Sequence, residues 1–164
     1  LRVAAELAAG LASLHGHEPP VVHRDLKPDN ILFDATHTCK ICDLGTSRLV
    51  DASRTMTGSI GTPVFCAPEQ LAHQRYGAAV DVWAAGCVLS CLMRDATLPY
   101  SPCNESTLGQ VVNGEARPAT SEGSALHAPV RACCQFAAAA RPTAAQLMED
   151  LDALHIEALA MCFW

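Results

Sequence analysis

The stretch from Ala78 to Met93 contains one charged residue, Asp81, and is otherwise apolar on every side of a helical projection. A helix without a polar face has to be enclosed, by other elements or by lipid. Its longest apolar run, Val82 to Met93, falls short of the roughly 18 residues that a bilayer crossing requires. It is therefore read as a helix buried at the centre of a core, around which the rest of the chain must pack. An acid at Asp81 is costly in that setting unless several hydrogen-bond donors meet it.

The flanking segments supply packing partners. From Leu1 to His15, the residues Ala4, Leu7, Leu11 and Leu14 fall on one stripe, and Arg2, Glu6 and Ser13 lie away from it, which predicts an amphipathic helix ended by Glu18-Pro19-Pro20. Short β-prone runs at Val21-Val22, Ile31 to Phe33 and Cys39 to Cys42 alternate with turn formers at Pro28 to Asn30 and Asp34 to His37. Short hairpin strands flanking a loop are expected there. Asp43 to Pro68 is weakly periodic and rich in Gly, Ser and Thr. It exceeds the usual limit of about 12 to 15 residues for structureless connections, so a functional loop is expected. Further helices are predicted at Gln70 to Ala72, Ser106 to Val112, Val130 to Ala140 and Thr143 to Ala160. The last has Thr143 and Gln146 at capping-box spacing, with Leu147, Leu151, Leu154 and Ala158 as its stripe. No repeat or long linker divides the chain. The pattern is of the α+β class, mostly helical with a small β-hairpin element.

Composition narrows the function classes. With 164 residues, 50% hydrophobic and 17% charged, the chain can build one packed core. A formal charge of -6 gives no footprint for a nucleic-acid backbone or an anionic membrane, so any phosphate must be held locally, with a metal. Nine cysteines at irregular spacing, in apolar contexts such as Gly86-Cys87-Val88, read as reduced thiols of a cytoplasmic protein. Cys39 and Cys42 form a C-x-x-C without a second pair at zinc-site spacing. His15, His17, His37, His73, His127 and His155 show no ligand spacing and read as ordinary polar groups. The first residue is not Met and the opening lacks a signal-peptide pattern, so a fragment is expected.

The run His23-Arg24-Asp25-Leu26-Lys27-Pro28-Asp29-Asn30 gathers an acid, a cation and an amide in one loop. Transfer of a γ-phosphoryl group needs a carboxylate to orient the attacking hydroxyl and accept its proton, a cation to offset charge, and oxygen ligands for magnesium. Asp25, Lys27 and Asn30 are of these three types. Downstream follow Asp43-Leu44-Gly45, then Gly61-Thr62-Pro63-Val64-Phe65-Cys66-Ala67-Pro68-Glu69, then Asp81-Val82-Trp83-Ala84-Ala85-Gly86, and last Arg141-Pro142-Thr143. In this order and spacing the elements resemble those of eukaryotic-type protein kinases of the serine/threonine class, with 23–30 similar to the catalytic loop and 43–69 to the activation segment.

The resemblance implies a fold and a set of roles. Residues 1–164 are expected to be a partial kinase domain, its C-terminal larger lobe, with the N-terminal lobe absent. ATP and Mg2+ are the implied cofactors, and Ser or Thr of protein substrates the implied acceptors, with no nucleic-acid partner. Asp25, Lys27, Asn30 and Asp43 are the implied catalytic set, Asn30 and Asp43 the metal ligands. Lys27, Asn30, Leu32, Cys42 and Asp43 would contact the nucleotide, although Leu32 and Cys42 are also ordinary strand core residues. Leu44 stands where the family usually has Phe and should fill an apolar slot. Thr62 would hydrogen-bond Asp25 and Lys27, Glu69 would pair with Arg141, and Asp81 would accept backbone amides near His23 and Arg24. His23 would pack in a hydrophobic spine. Lys27, two residues after Asp25, marks the serine/threonine class, and the overall flavour is that of the tyrosine-kinase-like group. Arg24 beside Asp25 suggests control by a phosphorylated loop, with Thr57 or Ser59 favoured over Ser53 and Thr55. Ala137 and Ala138 replace an acid and a proline common at that place, which would extend the preceding helix. No glycine-rich loop, lysine-bearing strand or partner glutamate is present, so the chain alone is expected to be nearly inactive. The alternatives are a non-catalytic kinase-like interaction module and a small-molecule phosphotransferase, the latter disfavoured by the segment 61–69.

Overall fold

The computed structural model describes residues 1–49 and 61–161. In chain order its elements are α1 (Arg2–His15), β1 (Val21–Val22), β2 (Ile31–Phe33), β3 (Cys39–Ile41), β4 (Arg48–Leu49), α2 (Pro68–Leu71), α3 (Ala79–Met93), α4 (Glu105–Val112), α5 (His127–Cys133) and α6 (Ala144–Met161). Single 3-10 turns cover Pro28–Asn30, Leu44–Thr46, Pro63–Phe65 and Ala138–Ala140. Ser53, Thr55, Thr57 and Ser59 lie outside the described residues.

Helix α3 is the centre of the core, as its lack of a polar face requires: every residue from Val80 to Cys91 is buried. Each fully enclosed Val or Leu there contributes about 1.5 to 3 kcal/mol relative to an exposed one. The axis of α5 comes so close that a Cβ on Gly86 would sit 2.5 Å from Cys134 Sγ and 2.7 Å from Cys133 Cβ. Helix α1 packs chiefly against α6. Small residues on its buried face, Ala4, Ala5 and Ala8, let Leu7 and Leu11 reach the core occupied by Leu147 and Leu151. Leu14, expected on the stripe, is only partly buried. No helix among the described residues is long and apolar enough to cross a membrane.

The β structure consists of two small antiparallel ladders. Strands β2 and β3 form the expected hairpin, with Ile31 opposite Ile41 and Phe33 opposite Cys39. Its turn is built by Asp34, whose carboxylate accepts the Thr36 amide at 2.9 Å, the Thr36 hydroxyl at 2.6 Å and the Thr38 amide at 3.0 Å. Strand β1 pairs with β4, Val22 opposite Arg48, inside a stretch that periodicity marks as unstructured. Two β residues are too few to register as alternation, and the pairing exists only because the partner is brought alongside.

Helix ends follow local chemistry. At the start of α6 the Thr143 amide donates to Gln146 Oε1 at 2.8 Å and the Gln146 amide to Thr143 Oγ1 at 3.2 Å, a reciprocal capping box. Asn104 caps α4, its side chain accepting the Thr107 amide at 2.9 Å. The helix expected over Val130 to Ala140 runs instead from His127 to Cys133. The cause is Arg141, whose guanidinium takes the carbonyls of Gln135 at 2.8 Å and Phe136 at 3.1 Å and so turns the chain out of helix.

Candidate active site

The site is assembled on the loop after β1. Asp81, in the first turn of α3 and only 1% exposed, accepts the His23 amide on Oδ2 at 2.7 Å and the Arg24 amide on Oδ1 at 2.8 Å. These two bonds hold Arg24 at φ 71, a left-handed conformation that costs a non-glycine residue about 1 to 2 kcal/mol. The turn that results brings Asp25 forward. The His23 ring, fully buried, donates from Nε2 to the Cys42 carbonyl at 2.9 Å and accepts the Asp25 amide on Nδ1 at 3.3 Å. One imidazole thus ties Asp25 to the residue before Asp43, beyond the packing role expected for it.

Asp25 is held on both carboxylate oxygens. Oδ1 accepts the Thr62 amide at 2.7 Å and the Thr62 hydroxyl at 3.0 Å, and Oδ2 lies 3.0 Å from Lys27 Nζ. Lys27 Nζ also donates to Thr62 Oγ1 at 2.8 Å, closing a three-residue ring. Burial pushes the Asp25 carboxyl up, but the hydrogen bonds from Lys27 and Thr62 outweigh it and hold the group below its usual value. The Lys27 ammonium is raised, first by its bond to Asp25 and then by the charges of Asp25, Asp29 and Asp43, which outweigh desolvation. The pair stays ionised across neutral pH.

Asn30 is buried in the 3-10 turn after Lys27, and its Nδ2 donates to the Asp25 carbonyl at 2.7 Å and weakly to Asp25 Oδ2 at 3.4 Å. Its Oδ1 has no hydrogen-bond partner among the described residues. The Cys42 amide donates to the Asn30 carbonyl at 2.9 Å, so Asp43 follows directly on a residue paired with Asn30. Asp43 is left-handed at φ 59 and exposed, and accepts the Gly45 amide at 3.3 Å. No cluster of three or more His, Cys, Asp or Glu able to hold a metal occurs among the described residues.

The outer parts join the same frame. Arg24 Nε donates to the Thr46 carbonyl, and Thr46 Oγ1 to the His23 carbonyl at 3.1 Å. Gly61, at φ 116, passes so close that a Cβ would meet the Arg24 carbonyl at 2.6 Å and Asp25 Oδ1 at 3.5 Å. Glu69 and Arg141 form a two-pronged pair at 2.6 and 2.8 Å, with Arg141 Cζ 5.0 Å from the centroid of Trp83. Cys66, buried beside Asp25, has its thiol pushed up to about 12 by desolvation, which leaves it unreactive.

Not every expected neighbour is drawn in. Leu32 is 55% exposed on β2, and Cys42 is part-buried. Leu44 fills no enclosed slot: it is 49% exposed, beside an open hollow of about 350 Å³ between α1 and β3. Three larger hollows occur among the described residues: about 530 and 580 Å³ by Tyr76 and by Ala144, and about 400 Å³ lined by Leu7, Pro28, Ile31 and Phe33. His15 has no motif of its own in the sequence, yet its Nε2 lies 2.9 Å from Asp81 Oδ2. Nothing local to position 15 signals a partner 66 residues onward.

Comparison with known proteins identifies the family. The family model described as protein kinase domain matches residues 2–151, and the chain belongs to the protein kinase family, of the eukaryotic serine/threonine type. It is 42% identical over 104 residues to the serine/threonine-protein kinase pkpA of Phycomyces blakesleeanus, covering 62% of this chain and 16% of that protein. It is 48% identical over 83 residues to the mitogen-activated protein kinase mpkC of Neosartorya fischeri, covering 50% and 22%, and 43% identical over 94 residues to that of Aspergillus terreus, covering 57% and 24%. The chain thus spans about a quarter or less of the length of these curated relatives.

Proposed function

We propose that this chain is the larger lobe of a serine/threonine protein kinase domain, with 23–30 as its catalytic loop and 43–69 as its activation segment, and that it transfers the γ-phosphate of ATP to Ser or Thr of protein substrates once a smaller lobe covers the nucleotide. The observation that carries this reading is the Asp25–Lys27–Thr62 ring with Asn30 behind it. A carboxylate held below its usual value is a weak base but a firm acceptor, so Asp25 serves first to point the incoming hydroxyl and only late to take its proton. Lys27 sets a positive charge beside that carboxylate, where charge on the transferred group needs offsetting. Thr62 fixes both and joins the peptide-docking segment to them.

The donors fit magnesium. Asn30 Oδ1 is uncommitted and Asp43 is exposed, so an amide and a carboxylate oxygen are available, a set that suits a hard ion completing its shell with phosphates and water. Bound there, the ion would neutralise charge on the β- and γ-phosphate oxygens. Leu32 and Cys42 would border the adenine. The exposure of Leu32 and Leu44, 55% and 49%, supports a covering lobe.

The test is transfer from labelled ATP by the full-length polypeptide that contains this chain. Wild type should label Ser or Thr, and Asp25→Ala should slow transfer at least about a hundredfold. Asp43→Ala should do likewise and weaken magnesium dependence. Unchanged transfer in both variants overturns the roles. No transfer by the wild type, with partner binding intact, favours a non-catalytic interaction module instead.

A further inference from the structure

We propose that Gln70, on the single turn of α2, is a positioning residue for Asp25, acting through the peptide bond that joins Arg24 to Asp25. Gln70 is 2% exposed, and a buried amide is costly unless hydrogen bonds meet both its ends. Both are met. Oε1 accepts the Ala67 amide at 3.0 Å, and Nε2 donates to the Arg24 carbonyl at 3.4 Å. The first bond stays within the turn and satisfies a free amide at the start of α2. The second reaches 46 residues back, to the residue before Asp25. An apolar side chain of the same length would fill this space without desolvating an amide, so packing alone does not call for glutamine here.

The two contacts on the main chain of Arg24 act on different planes. Asp81 Oδ1 takes the Arg24 amide and so fixes the peptide that precedes Arg24. The peptide that follows is a separate plane, and its oxygen is the one that meets Gln70. Its N–H belongs to Asp25 and meets His23 Nδ1 at 3.3 Å. Neither of these bonds is short, so the plane depends on both of them. Arg24 is left-handed at φ 71, and its own conformational preference works against keeping the plane there. A tilt of the plane turns Cα of Asp25 and carries the carboxylate away from Lys27 and Thr62. Gln70 follows directly on the segment 61–69 that also holds Thr62. That stretch of chain therefore grips Asp25 twice, at its carboxylate through Thr62 and at its main chain through Gln70. The bearing of Gln70 on phosphoryl transfer rests on the kinase reading of Asp25. Its bearing on the peptide plane does not.

Gln70→Met keeps the length of the side chain and removes both bonds. Amide exchange at Asp25 in this variant should accelerate about two- to tenfold, the factor expected for losing a neutral hydrogen bond. The carbonyl carbon of Arg24 should also shift in the NMR spectrum, and the amides of α4 and α5 should hold their rates. A residue that only caps α2 gives a different pattern: faster exchange at Ala67, with the Asp25 amide and the Arg24 carbonyl as in the wild type. That pattern overturns the proposal, as does acceleration at Asp25 that merely follows the whole molecule. If the Met variant does not fold, Gln70→Leu is read in the same way. Failure of both to fold overturns the proposal, because support of the entire core is not the positioning of one plane. In the full-length polypeptide that contains this chain, Gln70→Met should lower kcat with KM for ATP unchanged. An unchanged kcat beside faster exchange at Asp25 overturns the role toward transfer. Absence of transfer by the wild type removes the kinase reading alone and leaves the exchange result standing.

Discussion

Asp81 and Glu69 are both withdrawn from water, and the fold satisfies them by opposite means. Glu69 depends on one side chain: Arg141 meets both its oxygens and the same guanidinium also holds the carbonyls of Ala79, Gln135 and Phe136. Asp81 depends mainly on main-chain amides, which no substitution at His23 or Arg24 short of proline removes. The first arrangement concentrates stability in a single residue. The second spends its carboxylate on backbone shape, holding a turn that would otherwise relax. A guanidinium suits a load shared among several carbonyls, and two adjacent amides suit the bite of a carboxylate.

This contrast can be broken in three places. Arg141→Ala should be the most damaging, lowering unfolding free energy by about 3 to 5 kcal/mol in urea, because it strands a largely buried carboxylate. Exchange at the Arg24 amide should hardly change, and a loss below about 1 kcal/mol would show that the pair behaves as a surface bridge. Next comes Asp81→Asn, which turns a donor toward one of two amides and should cost about 1 to 3 kcal/mol. Here the Arg24 amide should lose protection, and an unaltered rate would mean that the turn stands without the carboxylate. The smallest effect concerns a third acid. Exposed Asp34 is pulled to about 2, chiefly by the Thr36 hydroxyl and then by the Thr38 amide. Its folded value lies below the unfolded one near 3.9, so its support of the hairpin turn is present above about pH 4 and lost as pH falls toward 2. Protection of the Thr38 amide should fade over that window in wild type and show no such step in Asp34→Asn.

The parts of the molecule legible in the sequence are those whose cause is local. α3 could be read because all-round apolarity leaves one place for it, and α6 because Thr143 and Gln146 cap each other within a turn. The neighbours of Asp25 were legible through resemblance, since Lys27 and Asn30 lie in the same loop, and their roles are for the transfer assay to decide. What was not legible has distant causes. β4 exists by pairing with β1, the end of α5 is set by Arg141, and His15 is defined by an acid on another helix. Leu44 was assigned an apolar slot that the described residues leave open.

The loop at Gly61 passes the Arg24 carbonyl with no room for a side chain of its own. A Cβ at Gly61 would lie 2.6 Å from the Arg24 carbonyl oxygen and 3.2 Å from Cys66 Sγ, so the approach is limited first by main-chain radii. Substitutions elsewhere cannot shrink it, and even one methyl at position 61 would wedge it wider. The register between the two loops is in effect a hard stop, cut into the backbone.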